Sequence, residues 1–231
     1  DLGKDFYFSY AYDLTQTLQH TMVSQKPLED GDPASDTPPR EPCRRDAYAW
    51  NFKLANELRN AIGPSAGRWC VTLVHGAFAQ RTCALFGRSL VVTLIARRSR
   101  HFAGTRYLKR GASDEGRVAN DVELEQITYT PGYGAGGFAA FVQVRGSIPI
   151  FWTQETSVTL PKPPIIVDRV DPTYTASRKH FADLLTRYGS PCMVLDLTKH
   201  VERRARETNV SAEFRRAIEC VNLGMDRPVR Y

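Results

Sequence analysis

Six cations fall within fourteen residues of this 231-residue chain: Arg97, Arg98, Arg100, Arg106, Lys109 and Arg110. A folded chain seldom holds so many like charges together unless an anion or an acidic partner offsets them. The chemistry this pattern suggests is binding of a phosphorylated ligand. An acidic and amide cluster follows at Asn120, Glu123, Glu125 and Gln126, whose polar groups are suited to orienting arginines or a water. A third cluster, residues 143–152 (QVRGSIPIFW), sets Gln143, Arg145 and Trp152 in an apolar run. A charge in such a run requires a partner, because an unpaired buried charge is costly. Alternate residues of a strand share a face, so Arg98 and Arg100 are expected to point together.

The nucleophile such a site would need is not evident. A cysteine phosphatase places Cys six residues before Arg, so that one tight loop aims backbone N–H groups and a guanidinium at the same phosphate. None of Cys43, Cys70, Cys83, Cys192 or Cys220 has that spacing; Cys83 comes closest, five residues before Arg88. All five read as structural core cysteines. Their odd number and irregular spacing argue against a disulfide framework, and no Cys-x-x-Cys pair suggests zinc. The five histidines show no metal-ligand spacing, and His180 is expected on a helix surface or edge. The glycine-rich segment 132–137 lacks a following helix and reads as a connection rather than a phosphate loop.

Several elements must carry these clusters. Residues 5–10 read as an aromatic strand, and Asp13 as the cap of a helix reaching Val23. Residues 26–45 hold five prolines, several acids and few apolar side chains, and are expected to be a disordered loop. Asp46 is expected to cap a helix running to about Ile62. From Trp69 the pattern becomes strands: 69–80, 82–87, 89–96, 105–109, 122–129, 139–145 and 148–153. The last part reads as a helix after Asp171-Pro172, a buried strand at 193–197, and two helices at about 201–209 and 211–223. That order predicts an α/β layer with at least partly parallel strands. A hydrophobic content of 42% suits a globular protein, no apolar run is long enough to span a bilayer, and the first residues do not form a signal peptide. The net charge of +6 fits nucleic acid, anionic lipid or phosphorylated small molecules without choosing among them.

Taken in order, the clusters resemble the Sac domain of phosphoinositide phosphatases. The matching pieces are residues 6–19 (FYFSYAYDLTQTLQ), Trp50-Asn51, residues 94–111 (LIARRSRHFAGTRYLKRG), residues 120–127 (NDVELEQI), residues 141–152 (FVQVRGSIPIFW) and residues 162–165 (KPPI). The resemblance extends most closely to the subgroup acting on phosphatidylinositol 3,5-bisphosphate. It implies an α/β fold: the end of a Sac N-terminal subdomain at residues 1–66, then the front of a mixed-sheet, helix-flanked catalytic subdomain at 67–231. It implies hydrolysis of an inositol-ring phosphate through a phosphocysteine, with no metal or other cofactor. The family's loop Arg-x-Asn-Cys-x-Asp-Cys-Leu-Asp-Arg-Thr does not occur here and is expected beyond Tyr231, so the chain should contribute no catalytic residue of its own. The supporting or substrate-binding residues it implies are Arg98, Arg106, Asn120, Glu123, Gln126 and Arg145. The implied partners are a phosphoinositide headgroup on the cytosolic face of endosomal or vacuolar membranes, a HEAT-repeat scaffold and a phosphatidylinositol 3-phosphate 5-kinase. A catalytically inactive scaffold or lipid-binding module in a lipid-kinase complex is the competing expectation. No aromatic-basic motif supports nucleic acid as a partner.

Overall fold

A computed structural model describes residues 4–24, 45–63, 69–105, 109–154, 163–169, 171–199, 201–202, 206–223 and 225–231. The loop expected at 26–45, all but its last residue, and the centre of the strand expected at 105–109 lie outside the described residues, and so does Arg106. The chain forms two compact units, Asp1–Arg100 with Val122–Arg145, and His101–Asp121 with Gly146–Tyr231. The boundary expected between residues 66 and 67 also falls outside the described residues. The unit borders lie elsewhere because β1 (Phe6–Tyr7) pairs with β2 (Val74–Leu85), joining the segments on either side of it.

The first unit is built on a five-stranded antiparallel meander in the order β1-β2-β3-β4-β5, with β3 at Arg88–Arg98, β4 at Val122–Tyr129 and β5 at Phe138–Arg145. Helices α1 (Leu18–Ser24) and α2 (Phe52–Ile62) accompany it. Strands β2 and β3 make one long hairpin closed by Phe86-Gly87, both at positive φ (50° and 75°). That is the handedness a two-residue hairpin turn needs, and Gly87 meets it without strain. Gly76 has a different constraint: an added Cβ would lie 1.8 Å from the Ala96 carbonyl oxygen across the ladder. Helix α2 starts six residues later than Asp46, which instead lies in a 3-10 turn, Arg45–Ala47. Helix α1 likewise starts late, because Asp13 accepts the Thr15 N–H and hydroxyl and folds residues 13–15 into a turn.

The second unit places a two-stranded ladder, β6 (Trp152–Thr153) and β7 (Ile166–Val167), with helices α3 (Thr175–Tyr188) and α4 (Glu207–Asn222). Its core gathers Ile150, Trp152, Phe181, Val210, Phe214, Ala217, Ile218, Val221 and Val229. The α4 members recur at helical spacing, and Phe214 stacks on Phe181 with ring centroids 6.4 Å apart. The two helices expected at 201–209 and 211–223 are one helix over 207–222. Ser211, suited by type to start a helix, lies inside it and donates to Asp196 at 2.6 Å. The expected buried strand at 193–197 is extended but only half buried. Cys192 and Val194 pack on the core, while Met193, Leu195 and Leu197 face outward. Among the described residues its ladder is a single parallel bridge, Met193 to Arg230, so no neighbouring strand covers its outer side. The α/β class holds, and among the described residues parallel pairing is confined to that bridge; both sheets are antiparallel.

Candidate functional site

The basic run is largely neutralised from within. Arg97 is wholly buried on the covered face of the central sheet. Its Nη1 donates to Glu123 Oε1 at 2.7 Å and its Nη2 to Glu125 Oε2 at 2.6 Å. The remaining donors reach back to the N-terminal segment: Nε to the Leu14 carbonyl and Nη2 to the Gln16 carbonyl at 2.8 Å. Glu125 Oε1 then accepts the first N–H of α1, from Leu18, at 2.7 Å. The planar guanidinium satisfies two carboxylates and two carbonyls at once, which the point charge of a lysine does not do. Burial opposes the charge of Arg97, but Glu123 and Glu125 more than offset it and raise its pKa. Beside this lock, burial first and Glu125 second push the Tyr12 phenol above its ordinary value.

The neighbouring cations also have partners. Arg100 donates to the Asp46 carbonyl, pairs with the Asp46 carboxylate at 3.1 Å and stacks over Phe52. Arg100 therefore lies past the end of β3, and the expected pairing of Arg98 with Arg100 on one strand face does not form. In the other unit, Arg110 donates to Gln154 and sits over Trp152, and Lys109 sits over Phe102. The Trp50-Asn51 pair holds the entry to β2. Trp50 Nε1 donates to the Arg98 carbonyl at 2.8 Å, and the Asn51 amide donates to the Val71 carbonyl while accepting the Leu73 N–H.

The open face of the sheet carries the remaining candidates. Register opposes Arg98 to Val122 and Val122 to Arg145, so the two arginines share one face two strands apart, about 10 Å. Arg145 is exposed and Arg98 half-buried. His75, next to the Gly76–Arg97 pair, meets Phe6 edge-on and Trp50 at a tilt, each with ring centroids 4.9 Å apart. Burial, and then the charge of Arg98, hold its imidazole below the ordinary value. Gln126 is exposed on this face, four residues along β4 from that rung. This face can hold an anion by charge and hydrogen bonding; among the described residues it has no adjacent nucleophile.

The structure thus brings Arg98, Arg145 and Gln126 to one face and assigns Glu123 to the other, where it is a buried counterion. Asn120 belongs to the second unit, in a left-handed turn with φ of 56°, its amide donating to the Lys109 carbonyl. Arg97 and Glu125, visible in the sequence only as members of the basic and acidic clusters, were not among the expected site residues. One other expectation is corrected. Cys83 is exposed on β2 rather than in a core. His180 is half-buried on α3, with its Nδ1 3.2 Å from the Gly116 carbonyl; burial and the nearby Arg187 lower its pKa to about 4.

The first unit is thus an antiparallel sheet that locks its N-terminal segment through a buried arginine and carries arginines on its open face, within a chain of α/β class. The family is settled by sequence: the pattern described as the SacI homology domain matches residues 1–231, and the chain belongs to that family. It is 45% identical over 224 residues to the phosphatidylinositol-3-phosphatase SAC1 of Arabidopsis thaliana, covering 96% of this chain and 23% of that protein. It is 41% identical over 234 residues to a polyphosphoinositide phosphatase of Schizosaccharomyces pombe, covering 96% of this chain and 26% of that protein. Identity to the phosphatidylinositol-3-phosphatase SAC1-B of Danio rerio is 31% over 229 residues, or 98% of this chain and 36% of the relative. The chain therefore spans about a quarter of the length of the two nearer relatives cited here.

Proposed function

We propose that the full-length protein is a phosphoinositide phosphatase, and that its substrate is phosphatidylinositol 3,5-bisphosphate. The observation that carries this is the family match over the whole chain, joined by relatives whose names specify phosphoinositide phosphatases. On this reading a low-pKa cysteine in a Cys-x5-Arg loop outside this chain attacks the ring phosphate. The bond from phosphorus to the ring oxygen breaks, that oxygen leaves as a hydroxyl, and water then cleaves the phosphocysteine to free phosphate. Loop amides and arginine stabilise the equatorial oxygens. Arg98 and Arg145 contribute to a cationic rim, Gln126 flanks it, and the Arg97–Glu123–Glu125 lock holds the sheet behind it. Arg106 and Asn120, which belong to the other unit, remain separate candidates for substrate binding.

No described helix is long and apolar enough to cross a membrane. On this reading the protein acts peripherally on the cytosolic face of endosomal or vacuolar membranes, together with a HEAT-repeat scaffold and a phosphatidylinositol 3-phosphate 5-kinase. Chromatography of the lipid product tests the substrate assignment. Phosphatidylinositol 3-phosphate is the expected product, and absence of any dephosphorylated lipid rejects the reading. Arg145→Ala is expected to lower turnover about tenfold, the value of one charge-assisted contact, and to leave the unfolding free energy within about 0.5 kcal/mol of the parent, as for an exposed site. Unchanged turnover removes Arg145 from the rim.

A further inference from the structure

Both turns at the far end of the central sheet expose aromatic and apolar side chains among arginines. Phe86, at the tip of the β2–β3 hairpin, is 94% exposed, and its neighbour Leu85 is 52% exposed. The β4–β5 connection ends beside it, because Val91 near the start of β3 pairs with Tyr129 and Tyr129 with Phe138. That connection exposes Tyr133, whose ring lies 5.9 Å from the Arg88 guanidinium, and Phe138. The tip is also one-sided in charge. Arg81 and Arg88 are exposed, and no Asp or Glu occurs in residues 80–92 or 127–144.

The turn itself supplies an independent observation. Phe86 adopts φ of 50°, a left-handed conformation that Asn or Gly takes readily and a bulky residue does not. A strained backbone that holds a large ring in solvent does not serve the hairpin, since Asn at this position makes a better turn. Strain of this kind points to a role outside the fold. Aromatic rings at a loop tip, ringed by arginine and without acidic neighbours, have the composition of side chains that enter the headgroup layer of a bilayer while cations meet anionic lipid.

We propose that this end of the sheet is a membrane-docking edge: Phe86 and Leu85 insert among the headgroups of an anionic bilayer, Tyr133 and Phe138 lie at the interface, and Arg81 and Arg88 pair with lipid phosphate. Its purpose rests on the reading that the substrate is a membrane lipid, but the binding it predicts does not depend on catalysis. The full-length protein should co-sediment with vesicles of phosphatidylcholine containing phosphatidylserine more strongly than with phosphatidylcholine alone. Phe86→Asn, which suits the left-handed turn and leaves folding intact, should weaken that binding about tenfold, the scale of one apolar side chain withdrawn from lipid. Arg88→Gln should weaken it too and reduce its salt dependence. Emission of Phe86→Trp should shift to the blue on adding the anionic vesicles.

Vesicle affinity unchanged by Phe86→Asn, or an unshifted Phe86→Trp emission, overturns the proposal. Binding that salt abolishes and Phe86→Asn leaves alone also overturns it, and directs attention to an acidic protein partner instead. A short-chain, soluble phosphoinositide separates the two hypotheses. Phe86→Asn should hydrolyse it as the parent does while losing activity on vesicles. Failure of the parent on both substrates removes the phosphatase reading and leaves the vesicle-binding result to be judged alone.

Discussion

Replacing Arg97 by methionine keeps an unbranched apolar stem of similar length and deletes the cation that bridges Glu123 and Glu125. Both carboxylates are buried, at 3% and 0% exposure, and each sits within 2.7 Å of the guanidinium. Removing one partner of a buried ion pair costs about 3–5 kcal/mol, because the other charge is left uncompensated. Here the Leu14 and Gln16 carbonyls also lose a donor, at about 1 kcal/mol each. Shared geometry makes these contributions less than additive, so a loss of about 4–6 kcal/mol is expected. With a urea dependence of about 2 kcal/mol per molar, the midpoint falls by roughly 2–3 M. Urea unfolding followed by far-UV circular dichroism measures that fall. Hydrogen exchange at the Leu18 amide reports the local consequence, since its acceptor Glu125 loses its own anchor. Arg97→Lys retains the charge but not the fork and should lose about half as much. A loss below about 1 kcal/mol for Arg97→Met, or unaltered exchange at Leu18, contradicts the claim that this cluster fastens the N-terminal segment to the sheet.

Three further outcomes follow from the packing and the titrating groups. His180, with a folded pKa of about 4 against an ordinary 6.5, binds fewer protons folded than unfolded between those values. Its contribution is complete above about pH 6.5 and is lost as the pH falls towards 4, by up to about 3 kcal/mol; pH-dependent unfolding of His180→Gln should lack that limb. Phe214→Ala, at a position 3% exposed, should cost about 3–5 kcal/mol in the same unfolding assay. Asn51→Ala removes both hydrogen bonds to residues 71–73 and should cost about 1–3 kcal/mol, with faster exchange of the Leu73 amide.

The elements with clear periodicity were legible. The expected strand at 122–129 coincides with β4, and the stripe of Phe181, Leu184, Leu185 and Tyr188 lies on α3. The site was harder because the sheet inverts the usual pattern. In Val122-Glu-Leu-Glu-Gln126 the apolar residues share the open face with Gln126, and both glutamates point inward. The alternation was readable, but hydrophobicity pointed to the wrong side as the interior. The signal that identifies the lock is a pair of carboxylates two residues apart on one strand and an arginine opposite them on the next, which requires the register. Ion pairing at Asp46 and the end of β3 at Arg98 were likewise invisible in a list of cations. The merged α4 has a different cause. The Asn209-Val-Ser211 break looked like a helix end and a new cap, but burial of Val210 and the Ser211–Asp196 hydrogen bond carry the helix through it.

Phosphate release by the full-length protein from vesicles bearing each of a panel of phosphoinositides bears most directly on the functional conclusion. Hydrolysis is expected with phosphatidylinositol 3,5-bisphosphate as the preferred lipid and a loss of turnover in Arg145→Ala. A folded protein that releases no phosphate from any phosphoinositide contradicts it.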